Sequence, residues 1–173
     1  MAIYALGDRV PEIHPDAFVH PDATVIGSVV IGAASTVWPQ AVLRGDSTGI
    51  TVGERTSIQD GAVIHVTSAR PTVIGSGCVI GHLAHMEGCT IEDGVLVGIG
   101  SVIMPGVVVR SGAVVGAAAF VPMDMEVPAR AMALGVPAKL RLDAVDVAKV
   151  IDPNVASYAA RAQQYRENLR RLD

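Results

Sequence analysis

Between Leu43 and Cys89 the chain gathers His65, His82 and His85, three of its five histidines, together with Arg44, Asp46, Gln59, Asp60 and Glu87. Imidazole nitrogens and a carboxylate are the donors that a divalent cation takes at a catalytic centre, which uses three protein ligands and keeps a further position open for water. An amide such as Gln59 can orient that water. The plain alternative is a set of solvated surface groups. What separates the two is whether the fold brings these side chains together, and that depends on a repeat.

Aliphatic residues recur every six positions: Ile13, Val19, Val25, Ile31, Val37 and Leu43, then after a short insertion Val52, Ile58 and Ile64, then after another Ile74, Ile80 and Met86. The series resumes at Ile91, Val97, Ile103, Val109, Val115 and Val121. A small residue usually follows four places on, and glycine is frequent one place on. Such a period suits neither a helix nor a plain alternating strand; it suits a short strand and a tight turn, with glycine where backbones approach closely. Three units make one triangular coil, and coils stack as parallel strands roughly 4.8 Å apart. The expected fold is an all-β solenoid of hexapeptide repeats, a parallel β-helix, over residues 1–127.

The register converts sequence into placement. Residues one place after each aliphatic point outward, and units three apart share a face. Arg44, His65 and Glu87 therefore form one vertical file, and Gln59 stacks between Trp38 and Gly81 on the next face with His82 just beyond. One face offers only His65 and Glu87 as ligands, so a third must come from another chain. His82 is the natural donor across a three-fold axis. His85 also faces outward, beside the Glu87 column.

After Val121 the register is expected to end at Pro122. Residues 128–151 read as a linker with a short helical segment, and 152–173 as a packing helix. Asp152-Pro153 is a good helix start, and Val155, Tyr158, Ala162, Tyr165, Leu169 and Leu172 make one apolar stripe. Tyr158 and Tyr165 read as packing residues, with a reach from the helix to the mouth of the site as the alternative. Trp38 reads as an anchor for a neighbouring chain, His14 and His20 as solvated, Cys78 as a buried thiol, and Cys89 as structural.

Composition narrows the class. The 173 residues are 50% hydrophobic but only 3% aromatic, which suits a narrow interior of repeated aliphatic layers. A net charge of −4 supplies no basic patch for a phosphate backbone, so nucleic acid is not expected as a partner. The apolar run from Gly94 to Val109 is broken by Gly, Ser and Pro, so no membrane association is expected. Two cysteines without a CxxC pattern, and no signal-like N-terminus, point to a cytoplasmic location.

The motifs Arg44-Gly45-Asp46, Gln59-Asp60 followed by His65, and Gly81-His82 with Gly88-Cys89 resemble the gamma-class carbonic anhydrase family across essentially the whole chain, including Gly135 to Lys139. The resemblance implies a left-handed β-helix and a homotrimer with a metal centre at each interface. It implies Zn2+, with Fe2+ or Co2+ as substitutes, and hydration of carbon dioxide to bicarbonate by a metal-bound hydroxide. His65 and His82 match two of that family's three histidine ligands. Gln59 matches the residue that orients the water, and Arg44, Asp46 and Asp60 match an interface polar network. Glu87 stands where the third histidine is expected, and His85 is the alternative ligand. Ser57 replaces an asparagine, and neither Ser47 nor Val66-Thr67-Ser68 supplies the acids that shuttle protons in the founding enzyme. Two other functions remain open: a coenzyme A-dependent acyltransferase of the hexapeptide-repeat type, and a trimeric scaffold with weak or no catalysis.

Overall fold

The computed structural model describes residues 2–173, and its core follows from the six-residue period. Val25, Val37, Leu43, Ile58, Ile64, Ile80, Met86, Ile91, Val97, Ile103, Val109, Val115 and Val121 are all fully buried in one continuous column. Each such side chain stabilises the fold by about 1.5–3 kcal/mol relative to leaving it in water. A slip of one residue would turn the whole column outward, so the register is held firmly. The result is a left-handed parallel β-helix with a C-terminal helix.

Three faces enclose the column. On the first, Val42–Gly45 of a long strand, Val63–His65, His85–Glu87, Val102–Ile103 and Phe120–Val121 stack in parallel. The same long strand, Val42–Val52, turns the corner and continues on the second face, above Thr72–Ile74, Thr90–Ile91, Val108–Val109 and Glu126–Val127. The third face carries Phe18–Val19, Thr36–Val37, Ser57–Ile58, Val79–Ile80, Leu96–Val97, Val114–Val115 and Met132–Leu134. Gly81 shows why glycine follows the inward aliphatic on this face: a Cβ there would lie 2.7 Å from the Val97 carbonyl oxygen.

The repeat does not end at Pro122, contrary to the expectation from sequence. Val127 and Ala133 continue the buried column, and Met132–Leu134 is closed by an antiparallel strand, Lys139–Arg141, within the stretch read as a linker. The prolines that looked like terminators have a local cause. In earlier coils the residue after the inward aliphatic donates its N–H to the next coil, as Met104 does to Val121 and Arg110 to Val127. Pro122 and Pro128 occupy that slot after the last strands of their faces, with which no further strand pairs, so the missing donor costs little.

The C-terminal segment forms a short helix, Val147–Val150, and a longer one, Asp152–Asn168. Ile151 rather than Asp152 takes the capping position of the longer helix, with no side-chain cap bond. Its docking is aromatic: Trp38, Phe18, Tyr158, Tyr165 and Ala162 form one cluster on the third face. Trp38 is only 3% exposed, so it anchors the chain's own helix and not a neighbour. His20 is likewise buried, between Phe18 and Tyr165. Leu169 and Leu172 fall beyond the helix end and are exposed. Among the described residues no helix is long and apolar enough to cross a membrane.

Candidate metal centre

The first face assembles the polar file in the register read from sequence. Arg44 pairs with His65, and His65 with Glu87, on successive strands. Asp46 joins them because Val42–Val52 runs on through Gly45, where a Cβ would lie 2.3 Å from the Ser28 carbonyl oxygen. Only glycine lets the strand pass so close, and the next carboxylate is thereby brought back over the file. The Arg44 guanidinium pairs with Asp46 Oδ2. Asp46 Oδ1 lies 3.0 Å from His65 Nε2. Glu87 Oε1 lies 3.4 Å from His65 Nδ1. The imidazole therefore stands between two carboxylates, one of them tied to a guanidinium.

His82 sits in the turn after Gly81, beyond the third face. Its backbone N–H donates to Gln59 Oε1 at 3.1 Å, and Gln59 itself is buried. Asp60 Oδ2 is 2.9 Å from His82 Nδ1. The Tyr158 hydroxyl, delivered by the C-terminal helix, lies 3.3 Å from His82 Nε2. Burial pushes the Tyr158 phenol up from its ordinary pKa, so the hydroxyl keeps its proton. Sequence reasoning preferred packing for Tyr158 over a reach to the site; the spacing of an apolar stripe does not decide where a hydroxyl points.

The chain thus holds two half-sites, one with Arg44, Asp46, His65 and Glu87 and one with Gln59, Asp60, His82 and Tyr158. The turn at Leu83 separates them. Among the described residues no three His, Cys, Asp or Glu gather as a metal-binding set within one chain. His85 points outward on the same strand as Glu87, with Val63 and Val102 as its ladder neighbours. Neither offers a polar partner, so His85 is not drawn into the acid–imidazole file.

The donor chemistry of His65 and Glu87 fits a divalent cation. Two ligands of one tetrahedral ion, at bond lengths of about 2.1 Å, stand roughly 3.4 Å apart. His65 Nδ1 and Glu87 Oε1 have that separation, 3.4 Å. Both side chains are partly exposed, which leaves coordination positions for a third protein ligand and for water.

No protein-family model matches the chain. It is 40% identical over 139 residues to the carnitine operon protein CaiE of Escherichia coli K12, covering 80% of this chain and 71% of that one. It is also 37% identical over 164 residues to the mitochondrial gamma carbonic anhydrase 1 of Arabidopsis thaliana, covering 91% of this chain. The chain belongs to the gamma-class carbonic anhydrase-like family of hexapeptide-repeat proteins. It spans only 58% of the length of that plant relative. Among solved structures, a hexapeptide transferase family protein from Anaplasma phagocytophilum superposes with a TM-score of 0.90 at 31% identity, covering 95% of this chain and 98% of that one. The family thus spans proteins described by different chemistries. Its carbonic anhydrase members imply a metal cofactor without fixing which metal.

Proposed function

We propose that this chain is a gamma-class carbonic anhydrase-like metalloprotein that hydrates carbon dioxide reversibly to bicarbonate at centres shared between the subunits of a homotrimer. The observation that carries the reading is the 3.4 Å convergence of His65 Nδ1 and Glu87 Oε1 beside a carboxylate-supported imidazole. His65 and Glu87 of one chain, with His82 of the next, would hold Zn2+, or Fe2+ or Co2+ in its place. The ion supplies the Lewis acidity that makes water nucleophilic near neutral pH. Gln59 would position the attacking water, and Arg44, Asp46 and Asp60 would hold the imidazoles and the subunit contact. Tyr158 borders the mouth of the site. Ser47 and Val66-Thr67-Ser68 stand where the family's proton-shuttle acids are expected, so proton exit to buffer is expected to limit turnover. Two free buried thiols accord with a reducing, cytoplasmic-type compartment.

Metal analysis of the purified protein, paired with carbon dioxide hydration after zinc or anaerobic iron loading, tests this reading. Stoichiometric metal lost in Glu87→Ala and His82→Ala supports it. Metal kept in Glu87→Ala and lost in His85→Ala assigns the third position to His85 instead. The likeness to a hexapeptide transferase family structure favours one second reading, acyl transfer from coenzyme A. Binding of acetyl-coenzyme A by a protein that takes up no metal would select it.

A further inference from the structure

The two candidate ligand histidines each have a carboxylate against one ring nitrogen, and the nitrogens differ. At His65 it is Nε2 that faces Asp46, at 3.0 Å, as a hydrogen bond. At His82 it is Nδ1 that faces Asp60, at 2.9 Å. An ionised carboxylate can only accept, and a neutral imidazole has one N–H and one lone pair. At His65 the 3.0 Å contact has hydrogen-bond geometry, so the proton belongs on Nε2; at His82 the 2.9 Å contact is an ion-pair approach without that geometry, and the charge of the Asp60 carboxylate favours the proton on Nδ1. Glu87 stands farther from His65, 3.4 Å from Nδ1, and faces the nitrogen that is left bare. The bare nitrogen of His82 is Nε2, and it accepts from the Tyr158 hydroxyl at 3.3 Å.

We propose that Asp46 and Asp60 set the two histidines in opposite tautomers, so that His65 presents Nδ1 and His82 presents Nε2 to the shared cation. The inference rests on the metal-centre reading above and adds a role for each aspartate. Both are positioning residues: they act on a ring and do not ligate. A carboxylate behind a ligating imidazole fixes its tautomer and orientation and raises its basicity, and loss of such a partner typically costs about 10–100-fold in metal affinity. Each aspartate is itself well placed for this. Asp46 is braced by the Arg44 guanidinium and by the close pass of Gly45 over Ser28. Asp60 directly follows Gln59, the residue that accepts from the His82 backbone, so one dipeptide holds both the main chain and the ring of His82.

The test begins on metal-free protein labelled with 15N-histidine, at a pH where the ring 15N shifts show both histidines to be neutral. Long-range 1H–15N correlations should place the proton of His65 on Nε2 and that of His82 on Nδ1. In Asp46→Ala the His65 ring should become a mixture of tautomers, and zinc affinity measured against a chelator should fall about 10–100-fold. Asp46→Asn keeps an accepting oxygen and should restore part of both. A His65 proton found on Nδ1, or an Asp46→Ala protein with unchanged tautomer and unchanged affinity, overturns the proposal. Failure of the underlying reading looks different: wild-type protein with the stated tautomers but no zinc uptake sinks the metal centre and leaves the assignment of the two rings standing.

Discussion

Tyr158 and His82 are 76 residues apart in sequence, yet the phenol oxygen of one lies 3.3 Å from Nε2 of the other. The C-terminal helix therefore does more than cover Trp38. It places a hydroxyl on the nitrogen that, in our reading, a cation must claim. The net worth of such a hydrogen bond is about 0.5–1.5 kcal/mol, and that is what a metal has to displace. Tyr158→Phe should accordingly raise zinc affinity by roughly 2–10-fold in a chelator competition. An affinity that falls instead would mean that the hydroxyl supports the centre.

Trp38 lies at the centre of the aromatic cluster that docks that helix. Its ring packs at 5.0 Å from Tyr165, 5.5 Å from Phe18 and 5.8 Å from Tyr158, centroid to centroid, and its indole N–H donates to Thr36 Oγ1 and Ser57 Oγ at 3.0 Å each. Trp38→Ala should cost about 3–5 kcal/mol in chemical denaturation. Amide exchange should rise across Asp152–Asn168 before it rises in the β-helix. Uniform loss of protection throughout would show that helix and solenoid unfold as one unit.

The cysteines should be silent. Burial pushes the Cys78 thiol up to about 11 and the Cys89 thiol up to about 12. The thiolate is the reactive form, so at pH 8 a thiol reagent should modify neither residue until the chain unfolds. Labelling of Cys89 in the native protein would contradict its burial beside the Glu87 strand.

Acid should act first on the second face and its corner. Arg110 donates to Glu92 at 2.7 Å and to Glu126 at 2.9 Å, and Ser111 completes the shell of Glu92. The guanidinium holds both carboxyls below the ordinary glutamate pKa. Stability from depressed carboxyls is present above their unfolded pKa and is lost as pH falls through the folded one. Arg110→Gln should therefore melt below wild type near neutrality, with the gap closing in acid. Because all three side chains are solvent-screened, the gap should also narrow with salt. A gap that widens on acidification would reverse the sign and refute the assignment.

Much of this was legible in the chain itself, for a physical reason. Only residues that alternate in and out of a narrow column can keep one phase so long, so Ile64 and Met86 located His65 and Glu87, and the strand pairing placed them side by side. The limits have equally specific causes. An outward slot says nothing about what covers it, so Trp38 and His20 looked available when the chain's own helix buries them. Ala133 is too small to announce an inward position, and Pro122 and Pro128 looked like an ending because they follow the last paired strands of their faces. The Tyr158 contact depends on helix docking, which no spacing encodes. The rings' relation to Asp46 and Asp60 required side-chain geometry.

Separation of the two half-sites by the turn at Leu83 has a genetic consequence. A chain lacking His65 still carries His82, and a chain lacking His82 still carries the file of Asp46, His65 and Glu87. Under the shared-centre reading, each variant alone makes only broken sites. Co-assembly of the two restores a whole one wherever the intact file of one chain meets the intact His82 of the other. His65→Ala and His82→Ala proteins, each inactive, should therefore recover metal binding when unfolded and refolded together, and no such rescue should follow from mixing His65→Ala with Glu87→Ala.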